Sequence, residues 1–139
     1  MENALLERLH QALRDGWSAN TSADAGAWSV ETPSWRQCAV TACVVQDLLG
    51  GEILWATATT PDAERHSHYF NRLPDGTVLD LTRDQFPAVT EFAPPEGCLR
   101  TANSEGRSFP TTRDYILSYP ATLRRYERLR AHVRRLLGR

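Results

Sequence analysis

The segment AVTACVVQDLL, residues 39 to 49, constrains the fold most, because its apolar side chains fall on nearly every side of a helix. A helix that is apolar all round has to be buried on all sides. Gly50 and Gly51 come directly after it and predict its C-terminal cap. The sequence therefore predicts a central helix around which the other elements pack.

A cysteine stands where this helix begins. Ser34 and Gln37 match the Ser-x-x-Gln pattern of a capping box, with Ser34 as the N-cap and Gln37 three residues in. This pattern puts Cys38 in the first turn, where the helix dipole favours a thiolate. Cys38 is therefore a candidate nucleophile.

Hydrophobic periodicity and turn residues predict helices at both ends of the chain and a small antiparallel sheet between them. In chain order, the predicted elements are a helix over 2–15, a loop over 16–33, the central helix, a strand over 52–59, a hairpin over 66–82, an irregular segment over 84–111 with one short strand near 97–101, and a helix over 120–137.

The composition is that of a single soluble domain, with 139 residues, 41% of them hydrophobic and 24% charged. The formal net charge of −1 does not suggest nucleic acid as a partner, and no apolar run reaches the roughly 20 residues of a membrane span. The N-terminal segment carries acidic residues, unlike a signal peptide. We expect a cytoplasmic protein that needs no cofactor and does not bind a membrane.

The basic and sulfur-containing residues narrow the chemistry. All 16 basic residues are arginines, which excludes a lysine Schiff base or a lysine general base. Cys38 and Cys43 fall on different faces of one helix, so we expect no disulfide between them. No Cys-x-x-Cys pair supports a structural zinc site. Cys43 is interpreted as a buried small apolar residue, and Cys98 as structural or incidental.

The sequence LPDGT, residues 73 to 77, predicts a tight hairpin. Proline, aspartate and glycine suit the three positions of a three-residue loop that ends in a glycine bulge. This loop pairs Leu73 with Thr77, so that Phe70 faces Asp80. Because side chains alternate along a strand, one face then carries His68, Phe70, Arg72, Val78, Asp80 and Thr82.

The turn type decides whether a His–Asp pair can form. With the three-residue loop, His68 and Asp80 are diagonal neighbours roughly 7 Å apart between backbones, within side-chain reach. A two-residue loop would put Asp80 on the opposite face. Proline favours the longer loop and thus the pair. His66 lies on the same strand face and competes with His68 as a base, although its geometry to Asp80 is poorer.

Cys38, His68 and Asp80 together fit the roles of nucleophile, base and orienting carboxylate, provided that the hairpin packs against the start of the central helix. Gln37 fits either a capping residue or an oxyanion donor beside the nucleophile. Further candidates for substrate binding are Trp17 in the long loop, Trp35 just after it and Asn71 in the hairpin.

Two other interpretations stay open. A non-catalytic binding domain would use the basic last helix to contact an acidic partner, although the same residues fit a solvated helix face. A metal site would use His66, His68, Asp80 and Cys38, although their spacing is unusual for one. The basic residues of the last helix are Arg124, Arg125, Arg128, Arg130, Arg134, Arg135 and Arg139.

The stretches GWSANTS, PSWRQCAVTACVVQDLLGGEIL and SHYFNRLPDGTVLDLTRDQF occur in this order and together resemble the YunG-like family of small bacterial proteins. The succession of cysteine, histidine and aspartate is in turn similar to papain-like and transglutaminase-like cysteine enzymes. The chain departs from papain itself, because it lacks the Cys-Gly-Ser-Cys-Trp signature and has Thr32 six residues before Cys38. That difference leaves the oxyanion donor open.

The resemblance implies an α+β fold with a papain-like or transglutaminase-like core. Its central helix, with Cys38 at the N-terminus, would pack on a small antiparallel sheet and be flanked by the N- and C-terminal helices. The expected activity is hydrolysis of an amide or thioester, or acyl transfer, through an acyl-enzyme intermediate. A domain this small has few elements to form an extended groove, so we expect a small molecule or a peptide end as substrate.

Overall fold

The computed structural model describes residues 3–138, and Glu2 and Arg139 of the predicted terminal segments lie outside this range. It has an α+β fold of four α-helices and a four-stranded antiparallel sheet. No helix within residues 3–138 has the length and apolar character that a bilayer span requires. The elements are α1 (Asn3–Gly16), α2 (Cys38–Leu49), β1 (Glu52–Thr59), β2 (Arg65–Arg72), β3 (Val78–Leu79), a 3-10 helix (Arg83–Gln85), β4 (Glu91–Cys98), α3 (Thr112–Leu117) and α4 (Pro120–Leu137).

Helix α2 is the centre of the domain, as its apolar sequence predicts. It packs against β2 and against α4, and α4 packs in turn against α1. The apolar stripe of α4 is buried except for Leu123, which lies in the first turn and is 36% exposed; its other members are Tyr126, Leu129, Val133 and Leu137. The buried residues of α2 are Cys38, Val40, Thr41, Ala42, Cys43, Val44 and Val45.

The sheet has the strand order β3-β2-β1-β4, with every neighbouring pair antiparallel. Strand β1 runs against β2 with Leu54 opposite Phe70 and Ala56 opposite His68. The face that carries Ile53 and Tyr69 belongs to the main core around α2. The other face carries a smaller cluster of Leu54, Ala56 and Phe70, with Phe92 of β4 packed against it.

The predicted hairpin between β2 and β3 is confirmed. The Leu73 amide donates to the Thr77 carbonyl over 2.8 Å, and Gly76 has a left-handed φ of 89°. Strand β3 is only two residues long and pairs with Asn71 and Arg72 of β2. The rest of β2 therefore has a strand on one side only, and its other edge is open to the start of α2.

The predicted capping box is wrong. Helix α2 begins at Cys38 with Gln37 as its N-cap, and no side chain caps its first turn. The cause lies one residue earlier, where Arg36 has a left-handed φ of 56° that breaks any helical path from Ser34. The Ser34 hydroxyl instead donates to Asp84 Oδ1 over 2.7 Å.

The predicted irregular segment over 84–111 contains a complete strand, β4, which spans Glu91–Cys98 rather than the short stretch near 97–101. Pro94 and Pro95 lie within it, although proline has no N–H to donate to a neighbouring strand. They are accommodated because β4 is an edge strand whose pairing with β1 shifts between Trp55 and Thr57. Helix α3 also lies beyond the predicted elements.

Two glycines with similar backbone angles provide a matched test of the packing between α2 and the hairpin. Gly51 (φ 83°) and Gly76 (φ 89°) are both left-handed, but a Cβ at Gly51 would overlap the Arg72 carbonyl oxygen, whereas a Cβ at Gly76 meets nothing within 4 Å. We expect Gly76→Ala to lower the free energy of unfolding by about 1 kcal/mol. Gly51→Ala should lower it by roughly 3 kcal/mol or more. Urea denaturation measures both, and equal losses would contradict the close approach at Gly51.

Candidate functional site

At the start of α2, backbone donors have no partner among residues 3–138. An α-helix cannot satisfy its first N–H groups internally, and the first bond in α2 runs from the Thr41 amide to the Gln37 carbonyl. The N–H groups of Cys38, Ala39 and Val40 consequently have no side-chain cap. Unpaired donors and the positive end of the dipole favour a negative charge at this position, whether on sulfur or on a reacting oxygen.

The residues before Cys38 are held in place by the 3-10 helix that follows Asp80. Gln85 is 7% exposed, and its Oε1 accepts the Arg36 amide over 3.1 Å. From the other side, the Arg36 carbonyl accepts the Ala23 amide over 2.9 Å. These bonds balance the strain of the left-handed Arg36. They also tie the segment that leads into Cys38 to the segment that carries Asp80.

His68 and Asp80 form the predicted pair. His68 Nε2 lies 2.6 Å from Asp80 Oδ2, and the His68 side chain is fully buried, while 19% of the Asp80 side chain is exposed. The other carboxylate oxygen, Oδ1, accepts the Thr82 amide over 3.3 Å. Because this second bond fixes the carboxylate, the carboxylate in turn fixes the orientation of the imidazole.

The imidazole of His68 is enclosed by three phenylalanines. Phe70 stacks on it at 5.8 Å between ring centroids, and Phe86 and Phe92 contact it at 5.2 and 5.4 Å. Its second nitrogen, Nδ1, is buried without a hydrogen-bond partner in the described part of the chain. A buried nitrogen without a partner costs about 1–3 kcal/mol, so Nδ1 is the position at which a ligand or a proton-exchanging group would be accommodated.

Cys38 reaches the open edge of β2 beside His68. Its Sγ lies 3.9 Å from the Ser67 carbonyl oxygen, and the residue is 9% exposed. Burial lowers the pKa of His68, but the hydrogen bond to Asp80 and the neighbouring Cys38 sulfur outweigh burial and raise that pKa to about 9. At neutral pH the fold thus favours an imidazolium next to the sulfur.

The other two cysteines lie in different surroundings. Cys43 is fully buried, and burial raises the pKa of its thiol to about 12. It therefore stays a neutral thiol in the core, as the sequence predicted. Cys98 ends β4, where its Sγ lies 3.6 Å from the Trp55 carbonyl oxygen. All three cysteines are free thiols.

Four further residues were predicted to bind substrate or an oxyanion, and the structure shows what each one contacts. Trp17 is 4% exposed and donates its indole N–H to Thr41 Oγ1 over 2.9 Å, and Asn71 Nδ2 donates to the Ala42 carbonyl over 3.0 Å. Both side chains thus brace α2 in the core. Their role in substrate binding stays a prediction.

Gln37 and Trp35 lie closer to the start of α2. Gln37 is fully buried and donates from Nε2 to the Ser18 carbonyl over 3.0 Å, while its Oε1 has no partner in the described part of the chain. It therefore anchors the long loop instead of capping the helix. Trp35 is half-buried, and its ring centroid lies 5.9 Å from that of His66 in an edge-on arrangement.

His66 does not share Asp80 with His68. Its ring lies between Trp35 and Phe86, and its Nδ1 is 3.5 Å from an Arg36 nitrogen. No group of three or more histidine, cysteine, aspartate or glutamate side chains in residues 3–138 has an arrangement that could hold a metal ion. The proposed metal set of His66, His68, Asp80 and Cys38 thus gains no geometric support.

The family model described as YunG protein matches residues 5–138. The chain belongs to the YunG family. It is 34% identical over 87 residues to the "Uncharacterized protein YunG" of Bacillus subtilis (strain 168), and the alignment covers 63% of this chain and 68% of that relative. No solved structure matches the chain. The YunG resemblance predicted from the sequence is confirmed.

Sequence reasoning missed three groups around the site of this YunG protein. Phe86 encloses His68, Gln85 holds Arg36, and Arg100 contacts Ser67 and Tyr69 next to Cys38. Gln85 and Phe86 end the SHYFNRLPDGTVLDLTRDQF stretch, so its continuation past Asp80 was an available signal. Arg100 follows β4 in a segment without regular pattern, and no local signal marks it.

The protonated His68 predicts a specific dependence of stability on pH. Below pH 6.5 the folded and unfolded chains both bind the proton, and its contribution to stability is fully present. Between pH 6.5 and about 9 the unfolded chain has released the proton that folded His68 retains, so stability falls as pH rises. We expect the free energy of unfolding to fall by up to about 1.4 kcal/mol per pH unit on this account.

Urea denaturation of the Cys38→Ser variant at pH 6 to 8 measures this slope without a contribution from ionisation of the Cys38 thiol. His68→Gln should remove the extra slope. His66→Gln is the matched control on the same strand face and should retain it. In this Cys38→Ser background, a slope that does not differ with and without His68→Gln would show that folding does not raise the pKa of His68.

Proposed function

We propose that this YunG protein is a cysteine-dependent hydrolase or acyltransferase that acts on an amide or thioester of a small molecule or a peptide end. One observation carries the proposal: His68 is bonded to Asp80 through Nε2, its buried Nδ1 has no partner among the described residues, and Cys38 lies close enough to raise the pKa of the ring. Cysteine, histidine and aspartate follow in the same order along the chain as in papain-like and transglutaminase-like enzymes, and the cysteine likewise lies at the start of a central helix. This resemblance supports the same assignment.

The first half of the proposed reaction forms an acyl-enzyme. The Cys38 thiolate attacks the carbonyl carbon, a C–S bond forms, and the carbonyl electron pair moves onto oxygen. The uncapped N–H groups at the start of α2 can donate to that oxyanion. When the tetrahedral intermediate collapses, the bond to the leaving amine or thiol breaks, and the His68 imidazolium donates its proton to that group.

The second half regenerates the thiolate. Neutral His68 takes a proton from water or from an acceptor amine, whose oxygen or nitrogen attacks the thioester carbonyl. Collapse of this second intermediate releases a carboxylic acid or a new amide, and the sulfur leaves as thiolate beside the imidazolium. Asp80 holds the ring in one orientation through both halves and stabilises its positive charge.

Selective alkylation of Cys38 at low pH tests the proposal. At pH 6 well under about 1% of an ordinary thiol is ionised, whereas a thiolate paired with imidazolium stays reactive. We expect iodoacetamide to label Cys38 at least about 100-fold faster than Cys98, with Cys43 unlabelled. Peptide mapping by mass spectrometry gives the three rates.

Two histidine variants make this test specific. His68→Ala should remove the fast labelling of Cys38, whereas His66→Ala, which removes a ring from the same strand face, should retain it. Slow or equal labelling of Cys38 and Cys98 in the wild-type protein would reject the thiolate–imidazolium pair. Transient acetylation of Cys38 by p-nitrophenyl acetate, seen in the intact mass, would then be absent as well.

A further inference from the structure

Arg100 lies beside Cys38 and is held by an unusual set of contacts. Its guanidinium carbon is 4.8 Å from the centre of the Trp55 ring and 4.9 Å from the centre of the Tyr115 ring. Its Nη1 donates to Ser67 Oγ over 3.0 Å and to Tyr69 Oη over 3.3 Å. Aromatic faces and neutral hydroxyls orient the guanidinium without neutralising it.

The charge of Arg100 has no carboxylate partner among residues 3–138, because none of the ion pairs there includes it. Arg113 provides the contrast within the same domain. It also stacks on an aromatic ring, that of Tyr126, but its Nη2 lies 2.9 Å from Asp47 Oδ1. Arg113 is thus a structural cation with its counter-ion present, and Arg100 is not.

The contacts of Arg100 leave a complete fork of donors free. A guanidinium has five N–H groups, and the two on Nη1 face Ser67 and Tyr69. The N–H groups on Nε and Nη2 make no hydrogen bond within the described residues, and Arg100 is partly exposed. Two parallel donors of this kind match the two oxygens of a carboxylate.

Arg100 and Cys38 contact the same residue. Cys38 Sγ lies 3.9 Å from the carbonyl oxygen of Ser67, and Arg100 Nη1 lies 3.0 Å from the hydroxyl of Ser67. Tyr69 also lies close to both groups. Burial raises the pKa of its phenol, Arg100 lowers it, and Cys38 raises it. Ser67 thus lies between the sulfur and the guanidinium and contacts both.

We propose that Arg100 binds a carboxylate of the substrate, so that the proposed cysteine chemistry acts on an acyl group attached to an amino acid that carries a free carboxylate. This inference rests on the proposed function and narrows it to N-acyl amino acids and carboxyl-terminal peptide bonds. In both, a free carboxylate lies one residue away from the amide that Cys38 would attack. Arg100 positions the substrate, and the bond-breaking steps stay with Cys38 and His68.

Two alkylating reagents of nearly equal size test Arg100, because iodoacetate carries a carboxylate and iodoacetamide does not. The deciding quantity is the ratio of their rates at Cys38, measured at pH 6 by mass spectrometry. The His68 imidazolium also attracts iodoacetate, so the ratio is compared between variants at one pH. We expect Arg100→Gln to lower the ratio about tenfold and Arg100→Lys, which keeps the charge, to lower it less.

Arg107→Gln is the matched control, because Arg107 also stacks on an aromatic ring, that of Phe109, at 4.8 Å. It should leave the ratio unchanged. A ratio that is the same in wild type and Arg100→Gln, while Cys38 remains fast towards iodoacetamide, would overturn the role of Arg100 and leave the proposed function standing. Slow reaction of wild-type Cys38 with both reagents would reject the proposed function instead.

A protection experiment on the unaltered protein does not depend on the folding of any variant. N-Acetylglycine should slow the labelling of Cys38 by iodoacetamide at millimolar concentration, and its neutral analogue N-acetylglycinamide should not. The carboxylate could belong to a peptide end or to a free N-acyl amino acid, and N-acetyltriglycine separates the two. Stronger protection by it than by N-acetylglycine indicates a peptide end, and weaker protection indicates a free N-acyl amino acid. Equal protection by the acid and the amide, or stronger protection by inorganic phosphate, would overturn the assignment to a carboxylate.

Discussion

The hydrogen bond from the Leu73 amide to the Thr77 carbonyl fixes the register between β2 and β3, and the candidate site depends on that register. Successive side chains of a strand point to opposite faces, so a shift by one residue would move Asp80 to the far side of the sheet. With the observed register, the carboxylate reaches His68 Nε2 over 2.6 Å. The same turn directs the chain into the 3-10 helix that holds the residues before Cys38.

The parts of the fold that follow from local chemistry could be predicted from the sequence. Strand β1 and helix α4 have the predicted bounds, because a β-rich run flanked by turns and a proline-initiated amphipathic helix depend on neighbouring residues. The hairpin register also follows from local residues, since proline, aspartate and glycine each suit one position of the loop. Because the register places His68 and Asp80 on one face, the contact between these two residues could be predicted as well.

The start of α2 and the strand β4 could not be predicted, because non-local contacts determine both. The left-handed Arg36 is held by Gln85, which is 49 residues away, and arginine is no signal for that conformation. Pro94 and Pro95 are tolerated in β4 because the strand is at the edge of the sheet, and its position there depends on β1. Arg100 contacts Ser67, which is 33 residues away in the sequence. Stacking on aromatic rings requires no fixed sequence spacing, so no pattern in the sequence predicts it.

The uncapped first turn of α2 has a consequence for anyone who would engineer this protein for heat resistance. Aspartate or serine at position 37 is the ordinary choice for a helix N-cap and is worth about 1 kcal/mol. The native Gln37 forgoes that gain, because its amide holds the long loop at Ser18. A capping substitution would strengthen the helix and, by occupying the same backbone donors, close the position that a substrate oxygen would use. In the proposed mechanism, thermal stability and reactivity would thus compete for the N–H groups of this first turn.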